Sequence, residues 1–182
     1  MKTVALYGGS FDPPHLGHEA IIKALKKLDF VDEIIIMPTF LNPFKENFTA
    51  PPSLRLKWLQ KIFFEDEDIT VSSFEIDKER KVPAIESVKA LQNNYDKIYL
   101  VIGADNLKSL ESWYRYSELK ELVTFIVATR KKSSVPQNFI TLDVDEDISS
   151  SQLREKIDIS KLPKKCAAEI AQYYKEHNAK QN

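Results

Sequence analysis

A single cysteine, Cys166, excludes an internal disulfide and fits a reducing compartment. The formal charge is only −1, so the chain carries no general positive field to steer nucleic acid. No apolar stretch approaches the ~20 residues that a membrane span needs. Lys2 is followed at once by an apolar run and glycines, which does not read as a signal peptide. A cytoplasmic protein with no membrane partner and no nucleic-acid partner is therefore expected. Neither common nucleotide fingerprint is present: G-x-G-x-x-G is missing, and so is G-x-x-x-x-G-K-[ST]. Repeats, linkers and low-complexity tracts are also missing. A chain of 182 residues suits a single domain, 1–182, with a C-terminal helical part from about Ser149.

What is present begins with residues 1–18. Thr3 to Tyr7 is a short, mostly apolar run of the kind that forms a buried strand. It stops at Gly8-Gly9, passes Asp12-Pro13-Pro14, and enters a stretch where Ile21, Ala24, Leu25 and Leu28 recur at helical spacing. Strand, glycine turn and helix in that order place orphan N–H donors and a positive dipole end at the strand's C-terminus, which suits a phosphate. His15 and His18, separated by Leu16-Gly17, can project to one side of that helix start. Gly17 leaves the backbone open to close approach. Two imidazoles beside a row of N–H groups can hold a triphosphate and stabilise shifting charge, or can serve only as helix caps. Two histidines with no cysteine or carboxylate at ligand spacing do not form a structural zinc site, so no metal held by the protein alone is expected.

Apolar strands alternating with amphipathic helices continue along the chain. Strands are predicted at Glu33–Met37, Ile69–Ser72, Asp96–Ile102, Val123–Ala128 and, shorter and edge-like, Phe139–Leu142. Helices are predicted at Leu54–Phe64, Ala84–Gln92, up to Leu122, from Ser149, and after Pro163. Thr39 to Ser53, with three prolines, reads as a long loop, and the polar tail Asn178–Asn182 as frayed. His177 reads as a solvated helix end. The fold class implied is α/β: a doubly wound, mainly parallel sheet, with the first strand near the topological switch point.

Three further groupings carry chemistry. Gly103-Ala104-Asp105 repeats the first loop's logic, and its carboxylate can accept ribose hydroxyls or cap a helix. Trp113 and Tyr114, among Ser112, Arg115 and Ser117, are poorly placed for a core. Ile148-Ser149-Ser150-Ser151-Gln152-Leu153-Arg154 is a helix start with more hydroxyls than one cap needs, and an arginine fork one turn on.

The run Gly8-Gly9-Ser10-Phe11-Asp12-Pro13-Pro14-His15-Leu16-Gly17-His18 resembles the signature of nucleotidyltransferases with an H-x-G-H motif. Among them it is most similar to the bacterial nicotinate-nucleotide adenylyltransferases. The resemblance extends over residues 8 to 154. Gly103, Asp105 and Trp113 fall on a G-x-D strand end and on the aromatic that stacks against a pyridine ring. Lys45, after Asn42-Pro43-Phe44, falls on a lysine that approaches the mononucleotide phosphate. Ser150, Ser151 and Arg154 fall on an I-S-S-[ST]-x-[IL]-R motif that contacts ATP phosphates. Arg130, ahead of Lys131-Lys132, is a further phosphate candidate. One segment departs: the family's mid-chain helix begins Ser-Tyr-Thr, whereas here it reads Pro83-Ala84-Ile85-Glu86-Ser87, with Ser87 in the threonine's place. That departure bears on the choice between an acid and an amide acceptor.

The resemblance implies a Rossmann-like nucleotidyltransferase fold and transfer of AMP from ATP to nicotinate mononucleotide. The products would be nicotinate adenine dinucleotide and pyrophosphate, in NAD biosynthesis. It implies catalytic roles for His15, His18 and Arg154. It implies ATP contacts at Gly8, Gly9, Ser10, Phe11, His15, His18, Gly103, Asp105, Ser150, Ser151 and Arg154. Mononucleotide contacts would come from Lys45, Ser87, Trp113 and Arg130. Mg²⁺ is expected with ATP, bound mainly through phosphates. The alternatives are another acceptor (nicotinamide mononucleotide or pantetheine phosphate) and a nucleotide-binding module without catalysis. A homo-oligomer is compatible with the sequence.

Overall fold

Strands that are apolar along their whole length must be covered on both faces, and here they are. The computed structural model describes residues 1–130 and 134–181. Its strands are β1 (Thr3–Gly9), β2 (Glu33–Pro38), β3 (Ile69–Val71), β4 (Lys97–Gly103), β5 (Thr124–Arg130) and β6 (Ile140–Val144). They form one sheet in the order β3-β2-β1-β4-β5-β6, and every pairing is parallel. Residues 131–133, including Lys131 and Lys132, lie outside the described residues, as does Asn182.

The two-residue period of a strand sorts the core. Ala5, Tyr7, Ile34, Ile36, Tyr99, Val101 and Ile126 turn to one face, where α1 (Leu16–Leu25), α2 (Pro52–Phe63), α6 (Ser150–Glu155) and α7 (Ala167–Gln181) cover them. Val4, Leu6, Ile35, Met37, Leu100, Ile102 and Val127 turn to the other, against α4 (Ala84–Leu91) and α5 (Tyr116–Leu122). Each fully buried aliphatic side chain contributes ~2 kcal/mol from area removed from water. β1 and β4 are neighbours, and the chain winds outward from each in opposite directions. The switch point therefore lies between their C-terminal ends, at Gly8-Gly9 and Gly103.

Several boundaries differ from expectation. The helix placed from Leu54 begins at Pro52, because proline fits a first helical turn whose N–H has no partner anyway. A four-residue helix, α3 (Phe74–Asp77), was not predicted; it is too short to show a period. The segment after Gly103 is a pair of 3-10 turns, Ala104–Lys108 and Leu110–Ser112, and not an α-helix start. The polar tail is helical to Gln181, where Asn178 Nδ2 donates to the Arg154 carbonyl at 2.9 Å. His177 is half-buried there and stacks on Tyr173.

Candidate active site

β1 delivers Gly8 and Gly9 to the switch point, and Ser10 to Pro14 lead from them into α1. Phe11 sits at φ 51°, a left-handed conformation that costs a bulky residue ~1–2 kcal/mol. Its buried ring offsets this by packing edge-on against Tyr7 (5.4 Å between centroids) and His18 (4.7 Å). Asp12 is buried and fully employed. Its carboxylate accepts the N–H of Thr49 (2.8 Å), the N–H of Ala50 (2.9 Å) and the phenol of Tyr174 on α7. Burial and this carboxylate push the Tyr174 phenol far above its ordinary value.

His15 is the N-cap of α1. Its Nδ1 accepts the Gly17 N–H at 3.0 Å, and His18 Nδ1 accepts the His15 N–H at 3.1 Å, closing a reciprocal box. The rings stack with centroids 3.7 Å apart. Of the two readings the sequence offered, capping is the one this geometry shows. With each Nδ1 accepting, each ring proton sits on Nε2. Burial, then the charge of Arg130, lowers the His15 pKa to about 3. Burial, His15 and Arg130 hold His18 well below its ordinary value. Both rings are therefore neutral N–H donors and not cations. His15 Nε2 is buried with no hydrogen-bond partner. A Cβ on Gly17 would fall 2.8 Å from Cε1 and 2.9 Å from Nδ1 of His15. The close approach that Gly17 allows is that of the His15 ring.

Three serines precede Arg154, and each has a distinct task. Ser149 caps α6 by accepting the Gln152 N–H, Ser150 Oγ donates to the Pro13 carbonyl at 3.1 Å, and Ser151 Oγ accepts from Arg154 Nη2 at 3.1 Å. Arg154 Nη1 donates to the Asp12 carbonyl at 2.8 Å. The motif thus clasps the signature loop from behind. Lys45 Nζ lies 3.4 Å from Ser10 Oγ, and burial, then the charges of Arg154 and Arg55, lower its pKa. Arg130 acts electrostatically on both histidines. Lys45, Arg55, Arg130 and Arg154 converge around 10–18, with the Asp12 carboxylate among them.

Arg55 was not singled out from the sequence. It is 1% exposed and donates to the carbonyls of Ala50 (3.0 Å), Ser10 (2.6 Å) and Phe40 (3.0 Å), joining the signature loop to the loop after β2. A signal existed: it shares the helical stripe of Trp58, Leu59, Ile62 and Phe63, where an arginine has no business unless it is fully bonded.

Beside this cluster lies a cavity of about 210 Å³ between the strand ends and the N-terminus of α4. Gly8, Gly9, Gly103, Glu75, Ser87 and Trp113 are among its walls. Trp113 is half-buried against the core, contrary to its polar neighbourhood in sequence, and its Nε1 is buried with no partner. Tyr114 (66% exposed) and Phe44 (64% exposed) stand at the cavity's rim. Asp105 is exposed, makes no cap bond and is not among the lining residues, although Gly103 is. Lys45 and Arg130 are not lining residues either; both stand with the histidine cluster. Ser87 is buried on α4 and donates to Glu75 Oε1 at 2.7 Å, while Glu86 turns away to Arg80. Glu75 was missed because α3 left no trace in the sequence pattern.

Among the described residues, no group of three or more His, Cys, Asp or Glu side chains can hold a metal ion. No helix there is long and apolar enough to cross a membrane.

Residues 6–156 match the cytidylyltransferase-like family model. A probable nicotinate-nucleotide adenylyltransferase of Sulfurimonas denitrificans is 63% identical over 99% of each chain. One from Campylobacter fetus is 42% identical, over 98% of this chain and 99% of the relative. Among solved structures, the nicotinic acid mononucleotide adenylyltransferase of Plasmodium falciparum, complexed with NaAD, superposes with a TM-score of 0.77 at 20% identity. That alignment covers 98% of this chain and 97% of the other, and it shows a shared fold.

Proposed function

This chain belongs to the cytidylyltransferase-like family and, within it, to the nicotinate-nucleotide adenylyltransferases, and from that footing we propose how its site works. The enzyme transfers AMP from ATP to nicotinate mononucleotide, giving nicotinate adenine dinucleotide and pyrophosphate, a step of NAD biosynthesis. The observation that carries the mechanism is the neutral histidine pair with both ring protons on Nε2, next to a cavity that contains a tryptophan.

An oxygen of the acceptor's phosphate attacks the α-phosphorus of ATP. The new P–O bond forms as the bond to the β-phosphate's bridging oxygen breaks, and pyrophosphate leaves with that electron pair. The nucleophile is already anionic, so no base and no covalent enzyme intermediate is required; alignment and charge stabilisation suffice. His18 is assigned to the α-phosphate and His15 to the phosphate chain, each through Nε2–H. The N–H groups of Gly8 to Phe11, with Lys45, Arg130, Ser150, Ser151 and Arg154, supply the surrounding donors. Arg154 and Ser150 already hold the signature loop, so their first effect is to set its shape. Trp113 stacks on the pyridine, worth ~1 kcal/mol beyond area burial. Gly103 and Asp105 face the nucleoside at the end of β4.

Mg²⁺ fits as a passenger on ATP: the site offers cations and N–H donors, so the metal's oxygen ligands would come from phosphates and water. It would neutralise charge on the leaving pyrophosphate. The reaction and the single thiol fit the cytoplasm.

The deciding experiment measures pyrophosphate release from Mg-ATP with nicotinate and nicotinamide mononucleotides in parallel, beside His18→Ala. Release that favours the nicotinate acceptor and disappears in the variant is expected. Equal rates with both acceptors would overturn the specificity, and release that survives the substitution would overturn the role of His18.

A further inference from the structure

The acceptor cavity holds a buried acid whose carboxyl, among the described residues, hydrogen-bonds to a residue of the same wall. Glu75 is 6% exposed and Ser87 is 2% exposed, and both line the cavity. Ser87 Oγ and Glu75 Oε1 are 2.7 Å apart, while Glu75 Oε2 is buried with no partner. The environment offers little to hold a charge. Met37 of β2 and Leu100 and Ile102 of β4 are the apolar walls nearby, and no cation from those strands lines the cavity. From α4 comes Glu86, paired with Arg80 of the α3–α4 connection. On α3 itself, Asp77 is occupied by Ser73.

A bond of that length between a hydroxyl and a carboxyl can run in either sense. When Glu75 is ionised, Ser87 must donate to it, and the serine oxygen offers the cavity only lone pairs. When Glu75 carries its proton, it can donate to Ser87, which frees the serine O–H to donate into the cavity. A nicotinate carboxylate needs a donor, and a nicotinamide carboxamide can supply one. Resting on the adenylyltransferase reading above, we propose that the Glu75–Ser87 pair selects the acceptor's ring substituent: protonated Glu75 turns the Ser87 hydroxyl toward an acid, and ionised Glu75 turns it to accept from an amide. Ser87 is the contact, and Glu75 is a positioning residue that acts through it. The pair thereby supplies side-chain chemistry where the Ser-Tyr-Thr helix start is lacking.

Burial, opposed by the Ser87 hydrogen bond and reinforced by Glu86, raises the Glu75 pKa to about 7, so both states are accessible near neutrality. The test is the ratio of kcat/KM for nicotinate over nicotinamide mononucleotide, measured from pH 6 to pH 8.5. Both acceptors share the same ribose phosphate and ring cation, so titration of phosphate or of the histidines cancels in the ratio. The ratio should fall about tenfold between the ends of that range, as expected when one proton couples to one hydrogen bond. In Glu75→Gln, which cannot titrate, it should be flat. Ser87→Ala should also flatten it, and should lower the preference for the acid at pH 6. A wild-type ratio that does not change with pH, or a Glu75→Gln profile that matches the wild type, would overturn the inference and leave the reaction intact. No turnover of either acceptor would overturn the function itself, and this inference with it.

Discussion

The two ends of the site are built in opposite ways. At the proposed phosphate end most polar groups are spoken for, His15 Nε2 apart: Asp12 takes two backbone N–H groups and a phenol, Arg55 takes three carbonyls, and the two histidines close a reciprocal cap on α1. At the pyridine end, Trp113 Nε1, Glu75 Oε2 and Thr39 Oγ1 are buried without partners, and Phe44 and Tyr114 stand exposed at the rim. The difference fits the ligands proposed for each end. A triphosphate is the same in every turnover and rewards a rigid row of donors. An acceptor ring must be told from close analogues, and that needs polar groups that only the ligand satisfies, because an unpaired buried group penalises the wrong partner.

The contrast can be broken from the phosphate side first. His18→Ala should lower kcat by ~10²–10³-fold with the fold retained if His18 is the donor proposed for the α-phosphate; single-turnover kinetics would show it. Gly17→Ala should approach the same loss by another route, since its Cβ must displace the His15 ring. Next, Arg55→Met should cost ~3 kcal/mol in urea unfolding by orphaning the carbonyls of Ala50, Ser10 and Phe40, and should lower kcat as the two loops part. Trp113→Ala should act only on the other end. The KM for the mononucleotide should rise about tenfold while the KM for ATP stays put, from the loss of stacking and area.

Stability against pH sharpens the comparison, because the two ends titrate with opposite sign. His15 has its pKa lowered from 6.5 to about 3, so its contribution is full above pH 6.5 and is lost as pH falls toward 3. Glu75 has its pKa raised from 4.5 to about 7, so stability is lost as pH rises from 4.5 through 7. Across its window the His15 effect should be ~5 kcal/mol and that of Glu75 ~3 kcal/mol. Urea midpoints should show His15→Asn, which keeps a cap, with a flatter acid limb, and Glu75→Gln with a flatter alkaline limb. The smallest effect is reserved for a site at neither end. Lys61→Ala removes an exposed ion pair with Glu169 and should leave the urea midpoint unchanged within error.

Much of this molecule is determined by local sequence. Continuous apolar runs at 4–7, 34–37 and 98–102 demand burial on both faces, which makes a parallel sheet, and Gly8-Gly9 into His15-Leu16-Gly17-His18 marks a strand–turn–helix loop on its own. These features are short-range: a period, a breaker, a cap. Ile148 to Arg154 was legible too, although its serines turn out to have three separate partners. Tertiary structure decided the rest. Tyr174 meets Asp12, Arg55 meets Ser10, and Glu75 meets Ser87 only because the sheet's winding brings distant segments to one edge. No periodicity marks a polar residue whose partner lies far along the chain. The same holds for protonation. A histidine is drawn neutral and an acid drawn toward its proton by the solvent each has lost, and burial is a property of the packed whole.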